Sequence, residues 1–199
     1  ALGIGIDVTE PIGNMIIDIG GGTTGITVIA LAGIVCDQSI RIAGDEFTAD
    51  IMEALRRYHS LLIGERTAEQ IKIQIGAALK DLDNPPDDIP VNGRDLVTGI
   101  PKQVMVSYQE VAEALDKSIF KIEEAILKAL ETTPPELAAD IYRRGLYITG
   151  GGSLLRGLDK RLTNKIKLPV HIADDPLKSV VRGTGIALKN YDRFPFVMR

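Results

Sequence analysis

Hydrophobic residues along the chain follow two different periods, and the change between them divides the sequence into strands and helices. Three Ile- and Val-rich runs come first, at residues 15–19, 24–30 and 33–39, and short glycine-containing connections separate them. Runs of this length with such short connections predict an antiparallel meander of three strands. The next apolar positions lie three and four residues apart, which predicts that helices follow the sheet.

Two helices are predicted directly after the meander. The first covers residues 45–59, with Asp45 as its N-cap. The second has Thr67 as an N-cap candidate and an apolar stripe that reaches Leu82. Residues 83–107 then accumulate Asn, Asp, Pro and Gly around short alternating runs, which predicts turns and a small sheet.

The remainder of the chain alternates helices with strands. Ser107 and Glu110 form a capping box ahead of a long amphipathic stripe that ends before Pro134. A short helix from Pro135 leads to an apolar run at 146–149, after which helix, strand and helix patterns follow. The order of elements indicates an α/β fold that contains an α-rich insertion.

Composition and charge narrow the classes of partner. The 199 residues carry 27 acidic and 23 basic side chains, a formal net charge of −4, so nucleic acid is not an expected partner. The single cysteine, Cys36, cannot form an intrachain disulfide and is expected to be a buried small hydrophobe. No apolar run approaches the roughly 20 residues of a membrane helix, and the cytoplasm is the expected location.

The first glycine cluster, residues 20–22, lies between two predicted strands and precedes Thr23 and Thr24. Bare backbone amides there could converge on phosphate oxygens, and the two hydroxyls would add donors. Asp18, at the end of the preceding strand, could hold hydrated Mg²⁺ or position an attacking water. A glycine-rich hairpin turn with an incidental aspartate is the alternative.

A second cluster, residues 150–152, separates a predicted strand from a predicted helix. Glycine there lets a flat ligand approach the backbone, and a helix that begins after Ser153 would favour negative charge. A tight strand-to-helix turn with Ser153 as its N-cap is the alternative. Neither cluster alone decides between ligand binding and a tight turn.

Both clusters resemble motifs of one superfamily. The stretch "DIGGGTT" resembles the second phosphate-binding loop of the actin, Hsp70 and sugar-kinase superfamily, and "ITGGGSLLRGL" resembles its adenosine motif. Within that superfamily, "SIRIAGDEF", "LLIGERTAEQIKIQIG", "GRDLVTGIPK" and "TPPELAADI" resemble the MreB family of bacterial actin homologues, along nearly the whole chain. The resemblance implies an actin-like (ribonuclease H-like) α/β ATPase fold with an inserted α+β subdomain.

The resemblance also implies roles for single residues. Asp18 would be catalytic and hold Mg²⁺ through water, while Glu69 and Lys72 would reach the ribose or base. Their i,i+3 spacing places them on one helix face, where a solvated intrahelical ion pair is the alternative. The family usually has glutamate where this chain has Gly25. The residues that would contact ATP or ADP are Gly20, Gly21, Gly22, Thr23, Thr24, Glu69, Lys72, Gly150, Gly151, Gly152, Ser153 and Leu154.

A domain organisation follows from the same resemblance. Residues 1–13 resemble the end of the family's first domain, which carries another phosphate loop and the glutamate implicated in hydrolysis. Residues 14–47 and 108–199 would form the second actin-like subdomain, and residues 48–107 the smaller inserted one. The full-length protein is expected to be a slow ATPase, and this chain alone is expected to be inactive.

By resemblance, the chain is the ATP-binding C-terminal half of a bacterial cytoskeletal protein that forms membrane-associated filaments and directs cell-wall synthesis and rod shape. Its expected partners are other filament subunits, the first domain, and membrane proteins of cell-wall synthesis and the rod complex. Its expected place is the inner face of the cell membrane. A small-molecule kinase or an Hsp70-like chaperone ATPase is the alternative, although "GRDLVTGIPK" suits protein contacts better than an acceptor site.

Overall fold

The computed structural model describes residues 1–190 as two β-sheets packed with helices. The strands are β1 (Asn14–Ile19), β2 (Thr24–Ala30), β3 (Gly33–Ile40), β4 (Leu61–Leu62), β5 (Ile89–Asp95), β6 (Pro101–Val106), β7 (Leu146–Thr149) and β8 (Val170–Ile172). The α-helices are α1 (Gly44–His59), α2 (Glu65–Ile75), α3 (Tyr108–Thr132), α4 (Pro135–Arg144), α5 (Leu158–Ile166) and α6 (Ser179–Lys189). Short 3-10 helices cover Leu2–Ile4, Gly151–Leu154 and Pro176–Lys178.

The larger sheet has five strands in the order β3-β2-β1-β7-β8. The predicted antiparallel meander is confirmed, because β1 pairs with β2 and β2 with β3 in antiparallel fashion. Strand β7 adds to β1 in parallel, and β8 adds to β7 in parallel. The carboxyl ends of β1, β7 and β8 therefore lie side by side along one edge of the sheet, the edge formed by strand ends rather than by an outermost strand.

Strand β1 separates two faces of this sheet. Met15, Ile17 and Ile19 are fully buried in a core that includes the apolar stripe of α3. Ile16 and Asp18 alternate with them and point to the opposite face, because successive side chains of a strand leave on opposite sides. The period of two that predicted the strand therefore also places the carboxylate outside the main core.

Helix α3 begins at the predicted capping box. The Ser107 hydroxyl accepts a hydrogen bond from the Glu110 amide at 3.3 Å, and the Ser107 amide donates to the Glu110 carboxylate at 2.8 Å. The helix ends at Thr132, before Pro134, as predicted. Local sequence decided both ends, because the box satisfies the first amides and proline cannot continue the ladder.

Three local predictions were wrong. Helix α1 begins at Gly44 rather than after Asp45, which lies in its first turn without capping it. Helix α2 begins at Glu65, two residues before Thr67, and no side chain caps it. Its apolar stripe does not continue to Leu82, because the helix ends at Ile75 ahead of a glycine that packs closely against other backbone.

The environment of Cys36 also differs from its prediction. Its strand, β3, lies at the edge of the five-stranded sheet, so one side has no neighbouring strand there. Cys36 is consequently only partly buried, with its sulfur 3.5 Å from the Thr132 hydroxyl. An apolar run predicts a strand, but not whether that strand lies at an edge.

The smaller sheet has the order β4-β5-β6. This sheet and α2 lie within residues 48–107, the range predicted for the inserted subdomain, and α1 crosses the start of that range. The division into subdomains stays a prediction, and residues 191–199 of its last part lie outside the described residues. Within residues 1–190, no helix combines the length and the apolar character needed to cross a membrane.

Candidate functional site

The two glycine clusters lie side by side, although about 130 residues separate them in sequence. We name residues 20–22 the first glycine turn and residues 150–152 the second glycine turn. The first follows β1 and the second follows β7, and Asp18 of β1 is in register with Thr149 of β7. A Cβ atom built on Gly150 would lie 2.5 Å from an Asp18 carboxylate oxygen. The parallel pairing of β1 and β7 therefore brings both turns to one sheet edge.

The first glycine turn uses its carbonyl groups and one amide in hydrogen bonds. The Gly20 amide donates to the Thr23 carbonyl at 3.0 Å. The Gly20 carbonyl accepts from the Gly44 amide at 3.1 Å, and the Gly21 carbonyl accepts from the Asp45 amide at 2.8 Å. In the described part of the chain, the amides of Gly21, Gly22 and Thr23 have no acceptor. Unpaired amides of this kind can donate to an anion, although the Asp45 carboxylate lies beside Gly21 and Gly22.

Steric demands do not explain the glycines of this turn. None of residues 20–22 has a positive φ. A Cβ on Gly21 would lie 3.8 Å and one on Gly22 3.5 Å from the nearest heavy atom, an Asp45 carboxylate oxygen in both cases. Neither a positive φ nor crowding of an added Cβ therefore requires glycine at residues 21 and 22. Glycine also lets a ligand approach the backbone closely, which is the role predicted for this turn.

The two threonines differ in what their hydroxyls do. Thr24 is fully buried, and its hydroxyl donates to the Ile42 carbonyl at 2.6 Å. Because a hydroxyl has one proton, Thr24 in this conformation cannot also donate to a phosphate. Thr23 is exposed on the turn, beside the amides of Gly21 and Gly22. The predicted hydroxyl donors therefore reduce to Thr23.

Asp18 is half-buried and lines a cavity of about 750 Å³ on the outer face of the five-stranded sheet. Burial raises the pKa of its carboxyl above the usual value, because a carboxylate is poorly solvated there. Gly25 stands opposite it on β2, and a Cβ there would meet nothing within 4 Å. The family's usual glutamate would occupy the space beside Asp18 that Gly25 leaves open.

Replacing Asp18 by asparagine is expected to stabilise the ligand-free protein at neutral pH. A carboxyl whose pKa is raised by folding contributes stability when protonated, and that contribution is lost as pH rises through the folded-state pKa. Thermal unfolding from about pH 4 to about pH 7 should show the wild-type midpoint falling relative to the variant. The exposed Asp87→Asn is the control. Parallel curves for wild type and Asp18→Asn would contradict the assignment of a costly buried charge.

The second glycine turn is shaped by Gly150, by Gly152 and by Ser153, which follows it. Gly150 has φ 81° and ψ 169°, a conformation open essentially to glycine. Gly152 packs against Ile19, whose Cβ would lie 2.9 Å from an added Cβ. The fully buried Ser153 hydroxyl donates to the Gly150 carbonyl at 2.7 Å. The Ser153 hydroxyl thus holds the turn and has no further proton to give.

The exposed surface here comes from Gly151 of the turn and from Leu154, two residues after it. Gly151 is exposed, and the Leu154 side chain is 53% exposed. The α-helix predicted to begin after Ser153 begins only at Leu158, and the single 3-10 turn Gly151–Leu154 precedes it. The expected helix N-terminus is therefore not at the turn, which offers the exposed backbone of Gly151 instead.

Glu69 and Lys72 face the first glycine turn from α2. The Lys72 ammonium lies 2.6 Å from the Glu69 carboxylate and donates to the Gly44 carbonyl at 2.7 Å. The predicted intrahelical ion pair exists, but Lys72 is only 13% exposed and is therefore not solvated. Burial alone would raise the pKa of Glu69, but hydrogen bonds from Lys72 and from Thr48 hold it below its usual value.

Residues at the start of α1 join these parts and were missed in the sequence. Gly44 lies between the first glycine turn and α2. An added Cβ there would be 3.2 Å from the Gly20 carbonyl oxygen and 3.3 Å from the Lys72 ammonium. The Thr48 hydroxyl donates to Glu69 at 2.8 Å. A glycine directly before a helical stripe was the available signal, because glycine permits close backbone approach.

Comparison with known proteins identifies close relatives. The family model of MreB/Mbl proteins matches residues 1–195. The cell shape-determining protein Mbl of Bacillus subtilis is 47% identical over 98% of this chain, and MreB of Escherichia coli K12 is 46% identical over 96%. The chain spans 58% and 55% of those two proteins, little more than half of their lengths.

Solved structures agree with the sequence comparisons. MreB 5 of Spiroplasma citri bound to AMPPNP superposes with a TM-score of 0.93 at 40% identity, covering 97% of this chain and 57% of that one. The MamK double helical filament superposes with a TM-score of 0.73 at 26% identity, covering 89% of this chain and 54% of that one. The predicted actin-like α/β fold is confirmed, and the chain belongs to the MreB/Mbl family.

Proposed function

We propose that this chain is the ATP-binding part of a bacterial actin-like filament protein that determines cell shape. The observation that carries the proposal is the meeting of two glycine turns at the carboxyl ends of β1 and β7, where the exposed amides of residues 21–23 have no acceptor among the described residues and can donate to an anion. Supporting it, the relatives are named cell shape-determining proteins, and MreB5 structures of Spiroplasma citri were solved with AMPPNP and with ADP. Family membership favours this function over a small-molecule kinase or chaperone.

In this proposal the first glycine turn holds the phosphates. The amides of Gly21, Gly22 and Thr23 would donate to phosphate oxygens, with the Thr23 hydroxyl beside them. Helix α1 starts directly behind the turn, since its first amides donate to the turn's carbonyls. The positive end of the α1 dipole therefore adds a favourable field for an anion.

The second glycine turn and α2 form two walls for adenosine. Gly151 and Leu154 offer the surface on one side, and the Glu69 and Lys72 pair offers polar groups on the other. Residues 76–78 connect the walls, because they pair with Arg156 just after the second turn. Bound adenosine would contact backbone on one side and a fixed ion pair on the other.

Asp18 is assigned to the metal and to hydrolysis. Mg²⁺ would supply neutralisation of phosphate charge and is usually held by one or two carboxylates together with phosphate oxygens and water. Asp18 lies half-buried next to both turns and fits that role. A nearby cation would also stabilise its ionised form, which burial otherwise disfavours.

Filament formation at the membrane completes the proposal. Copies would assemble at the inner face of the cytoplasmic membrane and guide wall synthesis together with rod-complex membrane proteins. Slow ATP hydrolysis by the full-length protein would time disassembly, because loss of the terminal phosphate removes contacts that favour one conformation. Filaments of the relative MamK support the self-assembly.

The test measures nucleotide binding and assembly together in the full-length protein. Wild type is expected to bind a fluorescent ATP analogue more tightly with Mg²⁺ than with EDTA, and to sediment on addition of ATP. Asp18→Asn should keep binding but lose most of the Mg²⁺ effect, because only the metal contact is removed. A wild-type protein that neither binds the analogue nor sediments would contradict the proposed function.

The hairpin between β5 and β6 carries an apolar tip that supports assembly. Val97 is 83% exposed and Ile100 61% exposed. The Asp95 carboxylate accepts hydrogen bonds from the amides of Val97 at 2.7 Å and Thr98 at 3.0 Å. The same carboxylate forms an ion pair with the Lys102 ammonium at 3.2 Å. The tip is therefore held rigid, and rigid apolar surface is favourable for protein contacts.

Val97→Asp is expected to prevent ATP-dependent sedimentation, because a charge would be buried without a partner in a contact between copies. Nucleotide affinity should be unchanged, since the tip lies on a sheet separate from both glycine turns. Sedimentation and analogue binding measured on the same preparation check both statements. The exposed Thr98→Asp, at the same tip, tests whether charge alone is responsible. Sedimentation of Val97→Asp at the wild-type level would remove the tip from the filament contact.

A further inference from the structure

A buried ion pair joins α3, α5 and the segment that follows α2. The side chain of Glu123 on α3 is 4% exposed, and that of Arg161 on α5 is 14% exposed. The Arg161 Nε donates to a Glu123 carboxylate oxygen at 2.6 Å. Its Nη1 donates to the Ala78 carbonyl at 3.1 Å and lies 2.8 Å from the Asp116 carboxylate. Three separate elements therefore meet at one guanidinium.

Ala78 belongs to the segment through which α2 is attached to the second glycine turn. The Ala78 amide donates to the Arg156 carbonyl at 2.8 Å, and the Arg156 amide donates to the Gly76 carbonyl at 3.1 Å. Gly76 ends α2 beneath Leu155, where an added Cβ would lie 2.9 Å from a Leu155 methyl carbon. The segment is thus held by the chain just after the second turn on one side and by the guanidinium on the other.

We propose that Arg161 is a positioning residue that fixes the distance between the second glycine turn and the Glu69 and Lys72 pair. The inference rests on the proposed function, because those two walls are the ones assigned to adenosine. Helix α2 ends at Ile75, immediately before the held segment, so a shift of that segment moves Lys72 as well. A planar guanidinium can hold a carboxylate and a carbonyl at fixed angles, which a lysine ammonium cannot.

At the Glu123 and Arg161 pair, a contribution to the stability of the fold can be separated from the positioning of α2. Replacing a buried ion pair by apolar side chains of similar volume is often neutral or stabilising. Such a replacement would keep α3 and α5 packed but would give up the hydrogen bond to Ala78. A purely structural pair therefore predicts full recovery in an apolar double variant, whereas a positioning pair predicts recovery of stability alone.

The experiment uses the full-length protein and two probes, a fluorescent ATP analogue and inorganic tripolyphosphate. The double variant Glu123→Leu/Arg161→Leu should unfold at the wild-type temperature but bind the ATP analogue about tenfold more weakly, about 1.4 kcal/mol. Its affinity for tripolyphosphate should change much less, because Arg161 bonds to α3 and Ala78 and is connected to the first glycine turn only through Lys72 and Gly44. Arg161→Lys should lose a similar factor for the ATP analogue, since only the planar geometry is lost.

Lys160→Met is the matched control. Lys160 lies on α5 next to Arg161 and forms an ion pair with Asp83, in the loop that follows Ala78. Both side chains of this pair are more than half exposed. An exposed pair contributes little, so this variant should match wild type in both measurements. It separates the buried contact of Arg161 from general loss of charge on α5.

Each outcome supports or overturns the inference. Wild-type affinity for the ATP analogue in the double variant overturns it, and so does an equal loss for tripolyphosphate. If the double variant does not fold, Arg161→Lys decides, and wild-type affinity in that variant overturns the inference. A wild-type protein that does not bind the analogue overturns the proposed function and this inference together, whereas binding that is insensitive to every variant overturns the inference alone.

Discussion

Replacing Gly151 by valine is expected to weaken nucleotide binding at least about a hundredfold, while the protein stays folded. Gly151 is exposed and has no positive φ, and its added Cβ would lie 3.2 Å from the end of the Leu177 side chain, which can move. The protein itself can therefore accept the larger residue. A branched side chain would nevertheless cover the surface that the second glycine turn offers to adenosine.

The neighbouring Gly150→Val is instead expected to destabilise the fold itself. Its backbone conformation is essentially restricted to glycine, and an added Cβ would lie 2.5 Å from the Asp18 carboxylate. We expect a loss of about 3 kcal/mol or more in the free energy of unfolding, from strain and overpacking together. The adjacent glycines thus separate a ligand surface from a structural turn.

Chemical denaturation and titration with a fluorescent ATP analogue check both variants. Gly151→Val should match wild type in denaturation midpoint and differ in affinity, whereas Gly150→Val should differ already in midpoint. If Gly151→Val binds the analogue as tightly as wild type, the second cluster is a tight turn and does not contact adenosine. The alternative stated from the sequence would then be correct.

The 199-residue chain by itself is expected to fold and to hydrolyse ATP at least about a hundredfold more slowly than the full-length protein. Folding is expected because the core of residues 1–190 is continuous across the large sheet, α1 and α3. Hydrolysis should be minimal because phosphoryl transfer requires groups on several sides of the triphosphate. The described residues supply Asp18 and two turns at a single sheet edge.

A malachite-green phosphate assay on the chain beside the full-length protein measures this difference, with Asp18→Asn of each as the control. Asp18-dependent turnover by the chain at the full-length rate would mean that all the catalytic groups lie within these residues. The protein would then be a self-contained enzyme, and the actin-like division of the site between two halves would be wrong.

Local sequence was sufficient where a pattern alone satisfies the backbone. The meander of β1, β2 and β3 follows from alternation and short turns, and α3 follows from its capping box and terminal prolines. Local sequence was insufficient at the start of α1, where Asp45 has the residue type of an N-cap but does not cap the helix. Carbonyls of Gly20 and Gly21 satisfy the first amides instead, and no local signal encodes a partner that is distant in sequence.

The sequence by itself determined the order of most elements, the two glycine clusters and the resemblance that the family match confirmed, but not the bounds of α1, α2 and α5. Only the tertiary structure decided which groups of the site remain available. It buried the Thr24 and Ser153 hydroxyls in hydrogen bonds to carbonyls, and left the amides of residues 21–23 without an acceptor in the described part of the chain. The physical reason is that the residue type fixes which hydrogen bonds a group is able to make. The packing of β1 against β7 and of α1 behind the first glycine turn fixes which of those hydrogen bonds the protein already makes with itself.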